Sequence, residues 1–217
     1  MKLTVSILIG ITGLIIGYKV PYISTKIVEY KKGKENIKKN EGILFSRWFQ
    51  MLISIFSGII WMLSGLRQEN LLFSLLIGIL ITIGIIIVFI DIHIRIIPNE
   101  LVLTIAILGI LFQIIYGGWK SLISAFICMI IMMIIFTAVA GFVGFGKVGA
   151  GDVKLAGAMG LALGYPLIIT AVGNMAIVLL VFISLGMLLK KIYLSTMLPF
   201  APFMISGFIF ALITLNM

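Results

Sequence analysis

Residues 71–100 read LLFSLLIGILITIGIIIVFIDIHIRIIPNE. From Leu71 to Ile90 there is no charged side chain, and the run matches the roughly 20 apolar residues needed to cross a bilayer. Asp91 closes it, and Pro98 follows, where a helix must stop or kink. Carrying an aspartate to a helix centre in lipid costs roughly 2.5–3.5 kcal/mol, so an acidic group at the edge of such a run is a mark of function. Asp91 has one counterpart. Asp152, in GKVGAGDVKLAGAMG, is the only other aspartate in the 217 residues, and it also borders an apolar run.

Working outward, the same pattern recurs along the chain. Hydrophobic residues make up 62% and charged residues 11%, which excludes an ordinary soluble domain. Spans are expected at about 3–23, 48–66, 71–94, 99–117, 121–143, 152–165, 167–189 and 197–216. The predicted fold is therefore all-α, a polytopic membrane bundle of about eight transmembrane helices, each satisfying its own backbone groups. The N-terminal run has no small-residue cleavage site after it and reads as an uncleaved first span. The segment 24–47 is the one polar loop. Tyr18, Tyr22, Trp48, Trp119 and Tyr165 fall near span ends, as interface anchors do.

Basic residues set the orientation. With the first loop cytoplasmic and the sides alternating, all Lys and Arg except Lys2, Arg67 and Lys120 fall on the cytoplasmic side. The net charge of +9 is thus a topology signal, with contact to membrane lipid headgroups, and predicts no nucleic-acid partner. The same alternation places Asp91 and Asp152 on the cytoplasmic face, where the two carboxylates can meet. Asp91 lies at the C-terminal end of a helix among apolar neighbours, which disfavours ionisation. Asp152 opens a helix, where free backbone N–H groups favour a negative charge. Asp152 is therefore expected to ionise more readily than Asp91. Such a pair suits peptide hydrolysis, one carboxylate activating water and the other protonating the carbonyl oxygen.

Other constellations carry less. Gly144, Gly146 and Gly149 spell GxGxxG, and Gly141 to Lys147 spells GxxxxGK. They follow a membrane helix and lack the strand, or the Ser or Thr after the lysine, that nucleotide loops require. The glycines are better read as backbone flexible enough for an extended peptide to lie close to Asp152. Lys147 and Lys154 flank Asp152, placed to steer an acidic group or to set topology. Gly157, Gly160 and Gly164 suit close helix packing. His93 is the only histidine and Cys128 the only cysteine, so neither zinc nor any other metal site is expected.

Three segments resemble one family. GAGDVKLAGAMGLALG at 149–164 resembles the GxGD signature of the type IV prepilin peptidases. Asp91 to Asn99, D-x6-P-N, resembles their first catalytic motif, and LPFAPF at 198–203 is similar to their C-terminal PF-x-PF element. The resemblance implies that Asp91 and Asp152 are the catalytic pair, with Gly149, Gly151, Lys154, Pro98 and Asn99 supporting the loops or the substrate. The implied reaction is aspartic-type cleavage, after glycine on the cytoplasmic side, of leaders from prepilins or pseudopilins, in a bacterial plasma or inner membrane. Proteolysis of this kind needs no cofactor. Many relatives also N-methylate the new N-terminus with S-adenosylmethionine, using a cytoplasmic region that often binds zinc through two CxxC pairs. Here the loop 24–47 has no cysteine, which puts the methyltransferase in doubt. Residues 1–66 would be the reduced counterpart of that region, and 67–217 a six-helix peptidase domain; Gly10, Gly13, Gly17 and Glu41 occupy the former. Two other readings stand beside this one. The first is a proton- or cation-coupled transporter using Asp91 and Asp152 as ion ligands, and the second an inactive relative that holds pilins. The sequence names neither the particular pilin nor the oligomeric state.

Overall fold

The computed structural model describes residues 2–32, 47–68, 70–143, 149–190 and 198–215, and every regular element among them is a helix. Two compact units emerge, one of residues 1–96 with 213–217 and one of residues 97–212. Five helices are long and apolar enough to cross a membrane, so the all-α, multi-pass reading holds.

The first unit contains α1 (Lys2–Lys32), α2 (Arg47–Arg67) and α3 (Leu71–Ile94). Helix α1 runs nine residues past its expected end, straight through Pro21. Just beyond it, hydroxyls fold back onto the helix: Ser24 donates to the Val20 carbonyl at 2.8 Å and Thr25 to that of Tyr22 at 2.8 Å. At about 1.5 Å per residue α1 is about 46 Å long, well beyond the ~30 Å hydrocarbon core, so its polar end projects from it. Residues 33–46, with Glu41, lie outside the described residues.

Antiparallel packing of α1 on α2 rests on missing side chains. A Cβ at Gly13 would lie 2.6 Å from Trp61 Cβ, and one at Gly17 2.5 Å from Ser57 Cβ. The helix backbones therefore approach more closely than larger residues permit. Ser54 donates to the Leu14 carbonyl across this seam at 2.7 Å. Trp61 lies against Gly78 of α3 and donates its indole N–H to Thr82 Oγ1 at 3.1 Å, so its one polar atom is satisfied inside the bundle. Helix α3 is largely buried, and its last turn brings Asp91 to the unit's end.

The second unit is built on α4, whose 45 residues (Asn99–Val143) would reach about 67 Å if straight. It is not straight. Gly118 adopts φ 64°, ψ −152°, a backbone conformation that L side chains resist, and the chain reverses there. Ser121 consequently donates to Gln113 Oε1, which eight residues of straight helix would forbid. The two arms correspond to the expected spans at 99–117 and 121–143.

Helix α5 (Ala150–Leu163) lies between the arms, parallel to the first and antiparallel to the second. A Cβ on Gly109 would come 2.7 Å from Ala162 Cα, and one on Gly160 2.8 Å from the Cys128 carbonyl oxygen. Gln113, fully buried, donates to the Ala162 carbonyl at 2.7 Å and so pins the far end of α5. Gly164 ends the helix at φ 60°.

Helix α6 (Leu167–Leu188) and helix α7 (Ala201–Thr214) complete the unit. Gly207 of α7 lies against the Ala171 carbonyl. Phe203 meets Phe182 at 5.2 Å, and Phe200 meets Phe136 at 6.0 Å. The prolines and phenylalanines of LPFAPF thus start α7 and dock its first turn. Helices α5 and α7, 14 residues each, are about 21 Å long, so full crossings by both do not follow from length. Trp48 and Trp119 are 78% and 76% exposed at helix ends, as interface anchors would be.

Gly160→Leu should force α5 away from the Cys128 backbone and cost about 1–3 kcal/mol or more. Gly173→Ala, with nothing within 4 Å, should leave stability unchanged or slightly raised. Thermal unfolding of both variants in detergent measures the contrast; equal stability would contradict the packing described.

Candidate active site

Asp91 sits in the last turn of α3 with only 5% of its surface exposed. Its carbonyl accepts the Arg95 N–H at 2.8 Å, and Arg95 takes the left-handed conformation, φ 53°, that closes the helix. The helix therefore stops three residues before Pro98, and Pro98 leads directly into α4. Its carbonyl accepts the Val102 N–H at 3.2 Å. His93 is engaged within its own helix, its Nδ1 lying 2.7 Å from the Phe89 carbonyl. Among the described residues no three His, Cys, Asp or Glu side chains cluster as metal ligands would.

Asp152 is set by a different device. Helix α5 opens at Ala150, so Gly149 is the N-cap and Asp152 the third helical residue. Gly149, in extended conformation at φ −75°, ψ 148°, aims its N–H at Asp152 Oδ2 over 3.0 Å. The Asp152 N–H returns a bond to the Gly149 carbonyl at 3.0 Å. This is the reciprocal half of a capping box, with the carboxylate reaching back to a donor that would otherwise be unpaired. Burial chiefly opposes ionisation of this carboxylate, and the Gly149 hydrogen bond offsets part of that. The side chain is held in one orientation at the positive end of a helix.

The second unit gathers most of the predicted residues. Gly149, Gly151, Asp152 and Lys154 form the first turn of α5 and its approach. Pro98 and Asn99 begin α4 beside it, since Lys154 Nζ donates to Asn99 Oδ1 at 3.1 Å. Gly151 faces Ile97, whose Cβ would lie 3.0 Å from a Cβ at that position. Ile97, the first residue of this unit, is thus seated on the helix that carries Asp152. Asp91 itself belongs to the first unit. Gly144, Gly146 and Lys147 lie outside the described residues.

Two residues escaped the sequence reading. Ile97 reads as one more apolar residue before a proline, with nothing to mark it as the lid on Gly151. Gln113 did carry a signal, an amide in the middle of an apolar run, where polar groups are expensive in lipid. Lys154 also takes a position the sequence did not predict. Two residues at about 100° each put it roughly 200° around α5 from Asp152, so it lies on another face.

These positions lie within one stretch of family similarity. A model of the type IV leader peptidase family matches residues 78–215, more than half of the chain. The chain belongs to that family. The match for this leader peptidase starts within α3 and ends just after α7, so it includes Asp91, Asp152 and the PFAPF segment and leaves α1 and α2 outside. No curated protein and no solved structure matched the chain.

Gly151→Val should press against Ile97 and destabilise the protein by about 1–3 kcal/mol. Adding Ile97→Ala should restore more than half of that loss, because the two sites touch. Unfolding of the two single variants and the double variant closes the cycle; additive losses would mean the contact is not formed.

Proposed function

We propose that this leader peptidase is an aspartic-type endopeptidase that removes leaders from prepilins or pseudopilins after glycine, with Asp91 and Asp152 as its paired carboxylates. One observation carries the reading: the chain has two aspartates, and each is presented at a helix terminus within the stretch that matches the family. Chains in lipid keep acidic groups mainly where they act.

In this reading the ionised carboxylate takes a proton from water as that water attacks the scissile carbonyl carbon. The protonated partner donates to the carbonyl oxygen; on collapse of the tetrahedral species the carboxyl that took the water's proton gives it to the departing amine, and a hydroxyl proton returns to the other carboxylate. The two groups titrate as a pair, so the proton is shared between them. Gly149, Gly151 and Pro98 shape the approach of an extended substrate backbone.

The positive-inside distribution of Lys and Arg supports a cytoplasmic site in a bacterial plasma or inner membrane. The proposed activity is cleavage without a cofactor. Gly10, Gly13 and Gly17, candidates for a cofactor-binding backbone, lie against Met62, Trp61 and Ser57 of α2, which supports a packing role. The family assignment favours hydrolysis over ion transport.

Purified protein should shorten a precursor that has a basic leader, a glycine junction and a following apolar helix. Asp91→Asn and Asp152→Asn should each reduce the rate by about 10²–10⁴-fold or more while the protein stays folded. Continued cleavage by both variants would overturn the assignment. Adding S-adenosylmethionine should leave the new N-terminus unmethylated, as read by mass spectrometry of the product. As a separate check of geometry, Asp91→Cys combined with Asp152→Cys in a Cys128→Ser background should be joined by a short thiol cross-linker. Failure with cross-linkers of every length would separate the two positions.

A further inference from the structure

The face of α5 opposite Asp152 has its own concavity. The two arms of α4 stand apart over it and leave a 390 Å³ trough, walled by Val102 and Ala106 on one side and Met129 and Met133 on the other. Gly157 and Ala158 form the floor, and Met133 closes on Gly157, its Cγ 2.7 Å from where a Cβ would stand. At one end the apolar lining gives way to a polar pair, Lys154 and Asn99. Lys154 is exposed and makes no ion pair among the described residues. Its ammonium bonds the Asn99 oxygen, so the Asn99 amide nitrogen is left to donate alongside it. Two donors thus stand at the mouth of an apolar channel.

We propose that this trough is a binding site for one anionic phospholipid, with its phosphate on Lys154 and Asn99 and an acyl chain along the floor. Charge complementarity selects the headgroup, since a lysine ammonium without an acidic partner favours phosphate over a net-neutral group. Dimensions select the chain. A helix is about 10–12 Å across with its side chains, so 390 Å³ holds only about two to three helical residues, too little to enclose a spanning segment of a substrate. A single hydrocarbon chain is far thinner. Position separates the site from the chemistry, because Lys154 lies roughly 200° around the helix from Asp152. A phosphate held there would bridge the first turns of α4 and α5, the same turns joined by Ile97 and Gly151.

The test uses the full chain, delipidated in mild detergent and titrated with dioleoyl phosphatidylglycerol, dioleoyl phosphatidylcholine or inorganic phosphate. Native mass spectrometry reads bound lipid and thermal unfolding reads stabilisation. Phosphatidylglycerol should be retained about ten-fold better than phosphatidylcholine. Lys154→Met should bring it down to the phosphatidylcholine level, Lys154→Arg should preserve it, and Lys120→Gln should have no effect. Ala106→Trp, which plugs the trough, should lower retention of both lipids. Undiminished phosphatidylglycerol binding by Lys154→Met or Ala106→Trp would overturn the proposal. So would equal stabilisation by inorganic phosphate, which has no chain to place, or displacement of the lipid by a precursor's apolar segment.

Discussion

Helix α5 can lie between the arms of α4 only because glycine stands where the backbones meet. At Gly160 a single added carbon would fall within 2.8 Å of a carbonyl oxygen, and at Gly109 within 2.7 Å of a Cα atom. Lipid supplies little hydrophobic drive to press one helix on another, so contact between backbones takes its place. Asp152 stands in the first turn of α5, and its position inherits whatever accuracy that seam provides. The Ala- and Gly-rich character of the helix is therefore a condition for placing a carboxylate.

Most buried polar side chains within the two units follow a second constraint, a partner where water is scarce, with Ser57 Oγ and Gln68 Oε1 the exceptions among the described residues. Trp61 meets Thr82, Gln113 meets Ala162 and Ser121, and serine and threonine hydroxyls fold back onto carbonyls of their own helices. These bonds lock registers that apolar packing alone leaves free to slide. Gln113 also explains how two arms and a third helix share one end, since it reaches both neighbours at the turn.

The two aspartates occupy contrasting ends. Asp91 is buried in the closing turn of a helix, near the negative pole of its dipole, and Asp152 sits near a positive pole with a backbone N–H on its carboxylate. A site that works with one charged and one protonated carboxylate gains from that asymmetry. Both ends fall within the stretch that matches the leader peptidase family.

The hydrophobic runs, the two lone aspartates, the stop at Pro98 and the GAGD turn were all legible in the sequence, because each depends on local composition or on a residue's own backbone limits. Segment 99–143 also divided correctly at its glycines. What the sequence could not supply was adjacency. Ile97 closing on Gly151, Gln113 joining α4 to α5 and the trough beneath Lys154 depend on which faces of distant helices meet. The end of α1 was misjudged because the polar residues after Ile23 read as loop, whereas the helix carries on through them to Lys32. Composition decided that this chain lives in a membrane and that it has two aspartates at the edges of apolar runs. Tertiary packing, through backbone contacts that only small residues allow, decided what surrounds them.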